Sequence, residues 1–93
     1  IIYLEADSNY TTLYLADGKR IIATRTLGEF EKILDDRFFR THKSVIININ
    51  FLLGYSSYQG STVEMKNGAN LIISRRKVLE LRDRINYISN TNL

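Results

Sequence analysis

Two dipeptides, Asp17-Gly18 and Asn67-Gly68, leave this chain little choice but to fold back on itself as antiparallel hairpins. Asp-Gly and Asn-Gly favour two-residue hairpin turns, because glycine enters φ > 0 without steric cost. Before the first pair, "IIYLE" and "NYTTLYLA" are rich in Ile, Leu, Tyr and Thr, and Asn9–Ala16 partly alternates between apolar and polar. "KRIIAT" returns as the partner strand. "STVEM" and "NLIIS" bracket the second pair in the same way. Between the two hairpins, the continuous apolar run of "VIINI" reads as a buried strand, and "FLLGYSSY" leads to a further turn at Gln59-Gly60. Six or seven short strands are expected in all.

Two segments carry helical periodicity instead. Thr26 and Glu29 form a T-x-x-E capping box, and Leu27, Phe30 and Leu34 share one face, predicting a helix over Leu27–Leu34. Near the end, Val78, Leu81, Ile85 and Ile88 recur at helical spacing, predicting a second helix from Arg75 to about Tyr87 or Ile88. Ser74 stands where its hydroxyl would cap that helix. The last residues, 89–93, read as a polar, frayed tail after a single domain over 1–88. No proline and no Gly/Ser-rich linker divides the 93 residues, enough for one modest core. The chain opens with Ile, and the expectation is a piece excised from a longer protein.

Composition removes several functional classes. No apolar run approaches the ~20 residues of a transmembrane helix, and no signal-peptide pattern opens the chain, so no membrane partner is expected. The absence of cysteine excludes disulfides and thiolate zinc sites, and suits the cytoplasm. With a single His, a metal would need clustered carboxylates, and none has ligand spacing. Asp35-Asp36 is the one adjacent acid pair, placed beyond a helix end where acids are ordinarily just solvated. The five glycines are scattered singly, so no phosphate-cradling loop exists. The chain therefore reads as a binding protein, not an enzyme, with no cofactor.

Charge indicates what it binds. The net charge is only +3, but residues 37–79 carry Arg37, Arg40, Lys43, Lys66, Arg75, Arg76 and Lys77 against Glu64 alone. Residues 26–36 are acidic, with Glu29, Glu31, Asp35 and Asp36 against Lys32. A concentrated positive segment in a small domain suits a polyanion, although a solvated basic face would look the same. In "RFFRTHKS", Phe38 and Phe39 read as core anchors. Arg40, His42, Lys43 and Ser44 supply cations, an imidazole and a hydroxyl fit for phosphates and base edges. His42 either holds its loop or touches phosphate. Tyr10 sits in a polar cluster with Ser8, Asn9 and Thr11 at a strand start, by itself an ordinary turn. Arg75, Arg76 and Lys77 lie on the positive end of the second helix, where cations are disfavoured. A docked phosphate would remove that cost.

The order "IIYLEADSNYTTLYLADGKR", "TLGEFEKIL", "DRFFRTHKSVIININFL", "LIISRRKVLEL" resembles the LytTR family of bacterial DNA-binding domains over about residues 1–87. The most specific part is the F-x-R-x-H-(K/R)-S block followed by an apolar strand and Asn48. The resemblance implies an all-β-dominated fold of small sheets packed face to face, a β-β-β sandwich with one short central helix and a C-terminal helix. It implies sequence-specific binding of double-stranded DNA at promoter repeats, as the output domain of a two-component response regulator. The partners would be an upstream receiver domain and a sensor histidine kinase. Tyr10, Lys43 and Arg76 match the base-reading positions, with Arg75, His42 and Ser44 on the backbone and Lys77 a further candidate. Tyrosine at position 10 departs from the family's base readers, leaving it a phosphate contact or a packing role. The rival is a small β protein-interaction module whose basic edge binds an acidic protein.

Overall fold

A computed structural model describes residues 1–57 and 60–91. Eight strands form two antiparallel sheets: β1 (Tyr3–Asp7), β2 (Tyr10–Tyr14), β3 (Arg20–Ala23), β4 (Phe38–His42) and β5 (Val45–Asn48) in the first, and β6 (Leu52–Ser56), β7 (Thr62–Met65) and β8 (Asn70–Ile72) in the second. The first sheet has the order β3-β2-β1-β5-β4 and the second β6-β7-β8. α1 (Leu27–Ile33) follows β3, and α2 (Val78–Thr91) closes the described chain. The face-to-face packing is as expected, with two sheets plus α1 making the layers.

The central strands explain the layering. In β5 all four residues are buried, but alternation sends them to opposite faces. Val45 and Ile47 join Tyr3, Phe39, Val63, Met65, Leu71, Ile73 and Leu81 in a core between the first sheet, the second sheet and α2. Ile46 joins Leu4, Leu13 and Leu27 in a smaller core beneath α1. The unbroken apolar run is the signature of a strand covered on both sides. Fully burying side chains such as Leu4, Ile46, Ile47, Val63 and Met65 contributes about 1.5–3 kcal/mol each. Phe38 and Phe39 anchor opposite faces as strand neighbours should, Phe39 in the larger core and Phe38 against the smaller.

Several local expectations need correction. The glycine hairpins are not two-residue turns. Gly18 N–H donates to Leu15 O at 3.0 Å and Leu15 N–H to Lys19 O at 2.9 Å, which closes a three-residue loop. Gly68 with Met65 and Ala69 repeats the pattern at 2.9 and 2.8 Å. Gly18 (φ 88°) and Gly68 (φ 92°) take the left-handed position, whereas Asp17 and Asn67 do not, so the two-residue turn with both φ positive is excluded. A two-residue turn does occur at Ser8-Asn9, within the polar cluster read as an ordinary turn, between paired Asp7 and Tyr10 and with Ser8 at φ 55°. "RFFRTHKS" contains a strand, β4, that the apolar pattern did not announce. The Gln59-Gly60 turn falls partly outside the described residues, as does the end of the tail, although the helix continues through Ser89 and Asn90 to Thr91.

Among helix ends, the Thr26 hydroxyl accepts from Glu29 N–H at 3.2 Å, so α1 begins as expected. Ser74 behaves differently. It occupies the capping position, but its hydroxyl makes no capping bond, and Arg75–Lys77 form a 3-10 turn before α2 starts at Val78. Glu80 then occupies the first α-helical turn, where an acid belongs.

Candidate nucleic-acid interface

Antiparallel pairing puts several chain reversals at one end of the first sheet. β1 ends at Asp7 beside the start of β2 at Tyr10, β3 ends opposite Thr11, and β4 ends where β5 begins. The turns at Ser8-Asn9 and Lys43-Ser44 and the segment after Ala23 therefore face the same way. Ala6 N–H donates to Ser44 O at 2.9 Å and ties the first two together.

The 3-10 turn at Arg75 is brought to this end by one residue, Thr41. In β4, Arg40 pairs with Ile46 and His42 with Val45, so Thr41 is the extra residue of a bulge, freed from the ladder. Its fully buried hydroxyl donates to Ile72 O at 2.9 Å, and its carbonyl accepts from Ser74 N–H at 2.9 Å. Two bonds thus stitch the last turn of the first sheet to the end of the second. In the sequence Thr41 stands only as the first residue of the polar Thr41–Ser44 loop, since a lone threonine gives no signal of a bulge.

His42, Lys43 and Arg76 line one polar hollow of about 290 Å³ with Glu31, Arg40, Ser74 and Lys77. Lys43, Arg75 and Arg76 are exposed, and no ion-pair partner is present for them among the described residues. His42 Nδ1 accepts from Ser44 N–H at 3.2 Å and lies 2.9 Å from the Ser44 hydroxyl. In the neutral ring that bond places the proton on Nε2, so His42 shapes its turn while keeping a donor for another group. Tyr10 stands apart, 52% exposed at the start of β2. Lys77 is diverted: its Nζ lies 3.3 Å from Glu80 and 5.8 Å over the Phe39 ring.

Arg40 braces the hollow from below. Its guanidinium donates to Lys43 O at 2.6 Å and to Glu31 Oε1 at 3.1 Å, while its buried Nε has no partner among the described residues. Arg40 read in sequence as one more cation; it is internally paired. Asp35 is likewise local, its carboxyl held below the ordinary range by hydrogen bonds from Arg37. No cluster of potential metal ligands occurs among the described residues. A larger cleft of about 560 Å³, lined mostly by apolar side chains of β6 and α2, contains none of the candidate DNA-binding residues Tyr10, His42, Lys43, Ser44, Arg75 and Arg76. No helix among the described residues is long and apolar enough to cross a membrane.

The geometry defines a class: a two-sheet β domain that gathers turns, the 3-10 turn ahead of α2 and cations without ion-pair partners among the described residues at one end. Comparison with known proteins agrees. The family model of the LytTr DNA-binding domain matches residues 1–86. The CO-responsive transcriptional regulator RcoM of Rhodospirillum rubrum is 34% identical over a match covering 88% of this chain and 36% of that protein. The chain therefore spans about a third of that relative's length. Among solved structures, it is similar to the LytTr DNA-binding domain of a Bacillus cereus protein described as a methyl-accepting/DNA response regulator. The TM-score is 0.78 and the identity 27%, covering 91% of this chain and 80% of that one. This chain belongs to the LytTr DNA-binding domain family.

Proposed function

We propose that the chain binds double-stranded DNA sequence-specifically as the output domain of a bacterial transcriptional regulator. The observation that carries this is the convergence of Tyr10, the His42–Ser44 turn and the Arg75–Arg76 turn at one end, with Lys43, Arg75 and Arg76 there lacking ion-pair partners among the described residues. Lys43 and Arg76 line the same hollow and are assigned to base edges, with arginine suited to bidentate contact with guanine. Arg75, Ser44 and His42 Nε2–H are assigned to phosphates, and the exposed Tyr10 hydroxyl to a phosphate as well. Lys77 is left out, because Glu80 already holds it. In the full protein, this domain follows a receiver controlled by a sensor kinase and acts in the cytoplasm on repeated half-sites. The domain by itself is monomeric.

The test is the salt dependence of binding. If four to six phosphates are neutralised, the log–log slope of affinity against salt lies near −4 to −5, at roughly −0.9 per phosphate. Fluorescence anisotropy with a duplex enriched from a random pool, a scrambled duplex and heparin measures it. A flat response, or equal affinity for all three polyanions, refutes sequence-specific DNA binding.

A further inference from the structure

Residues 1–25 carry as many acids as bases, so their charge gives no signal in the sequence, yet the fold moves one of their cations to the functional end. Arg25 follows β3. Because Thr11 pairs with Ala23, continuing the register sets Arg25 beside the Ser8-Asn9 turn. Its backbone is fixed there: the fully buried Thr11 hydroxyl donates to Arg25 O at 2.8 Å. Its side chain is exposed, and no ion-pair partner is present for it among the described residues. Lys19 and Arg20 belong to the opposite end, at the Gly18 hairpin.

Lateral position separates Arg25 from the cations already assigned. In the order β3-β2-β1-β5-β4, it stands at the β3 edge, and Lys43 lies at the β4–β5 turn. Three strand spacings of about 4.8 Å separate β3 from β5, roughly 14 Å. The major groove is about 12 Å wide. With the sheet laid across the groove that Lys43 and Arg76 enter, Arg25 stands beyond the groove width from Lys43 and meets the sugar-phosphate wall on the far side.

Building on the DNA-binding reading above, we infer that Arg25 is a further DNA contact, a phosphate clamp on the groove wall opposite Arg75. The interface then spans the width of the first sheet, gripping the backbone on both sides of the bases read. Arg25 adds affinity without adding sequence preference, and a point charge serves almost as well as a guanidinium.

Anisotropy titrations of the intact chain against the enriched duplex and a random-sequence duplex, at two salt concentrations, test this. Arg25→Ala weakens binding to both by roughly three- to tenfold and lowers the salt slope by about one. Arg25→Lys restores most of the loss, thermal melts stay unchanged, and Lys19→Ala at the opposite end leaves binding within about twofold, as expected of a charge far from the contacted phosphates. If Arg25→Ala binds like wild type while Arg76→Ala fails, the clamp is refuted and the DNA-binding reading stands. Equal losses at Arg25 and Lys19 refute the clamp too, since net charge alone then accounts for them. A wild-type chain without salt-dependent binding overturns both readings.

Discussion

Thr41→Val tests whether the two sheets must be stitched for the DNA-facing end to form. The replacement keeps shape and suits a strand, so it removes a single bond, from the Thr41 hydroxyl to Ile72 O at 2.9 Å. Thr41 is wholly buried, so water does not reach its side chain, while Ile72 on the accepting side is half exposed. Leaving the Ile72 carbonyl without its donor costs about 1–3 kcal/mol where water does not replace it, against about 1 kcal/mol for the net worth of an ordinary hydrogen bond. The backbone bond from Ser74 N–H to Thr41 O survives, which keeps the change below the level of unfolding. For a domain of this size, about 4–8 °C of melting temperature goes with each kcal/mol, so a drop of roughly 5–15 °C is expected by circular dichroism. The functional consequence is separate. With one of two stitches cut, the Arg75–Arg76 turn is held less firmly beside Lys43, and specific affinity falls more than random-duplex affinity. A melt within about 2 °C of wild type, less than half the shift that 1 kcal/mol produces, combined with unchanged discrimination, would show that the bond organises nothing.

Arg76→Ala should lose ~1–3 kcal/mol on the specific duplex and flatten preference at one or two base pairs, whereas Arg75→Ala should weaken specific and random DNA alike. Anisotropy on both duplexes separates the two, and a large fall in melting temperature for either variant would make the arginine structural. Arg40→Met should weaken DNA binding by ~1 kcal/mol although the Arg40 guanidinium is paired internally, because Glu31 is then left unpaired at the hollow. Adding Glu31→Gln should recover part of the loss; no recovery would place the effect in the Lys43 turn alone. Burial and then the stacked Tyr14 push the Tyr3 hydroxyl up from 10.0 to about 12. The fold favours the protonated ring, so this stability is complete below pH 10 and disappears as the pH rises towards about 12. Melts along that ramp should fall more steeply for wild type than for Tyr3→Phe, and parallel curves would contradict the burial argument.

The parts of this protein legible in its sequence are those decided within a few residues. Glycines at 18 and 68 mark reversals because only they take φ near 90° cheaply. Thr26 starts a helix through a bond to a residue three positions on. The run at Val45–Ile47 declares a strand covered on both faces, and the block around His42 and Arg76 carries enough chemistry to suggest a polyanion. What the sequence does not show depends on contacts between distant segments. Three-residue loops replaced two-residue turns because Asp17 and Asn67 take no positive φ once their strands are paired. β4 did not announce itself because Phe38 and Phe39 are both apolar, one for each core, so its alternation is not visible in residue type. Arg40 and Lys77 looked like free cations until Glu31 and Glu80 came within 3.1 and 3.3 Å of them. Arg25 looked like part of a neutral segment until the β2–β3 register carried it beside Tyr10. Local sterics and capping write themselves into short stretches of sequence, but which charges meet, and at which end, is decided only when strands far apart in the chain pair.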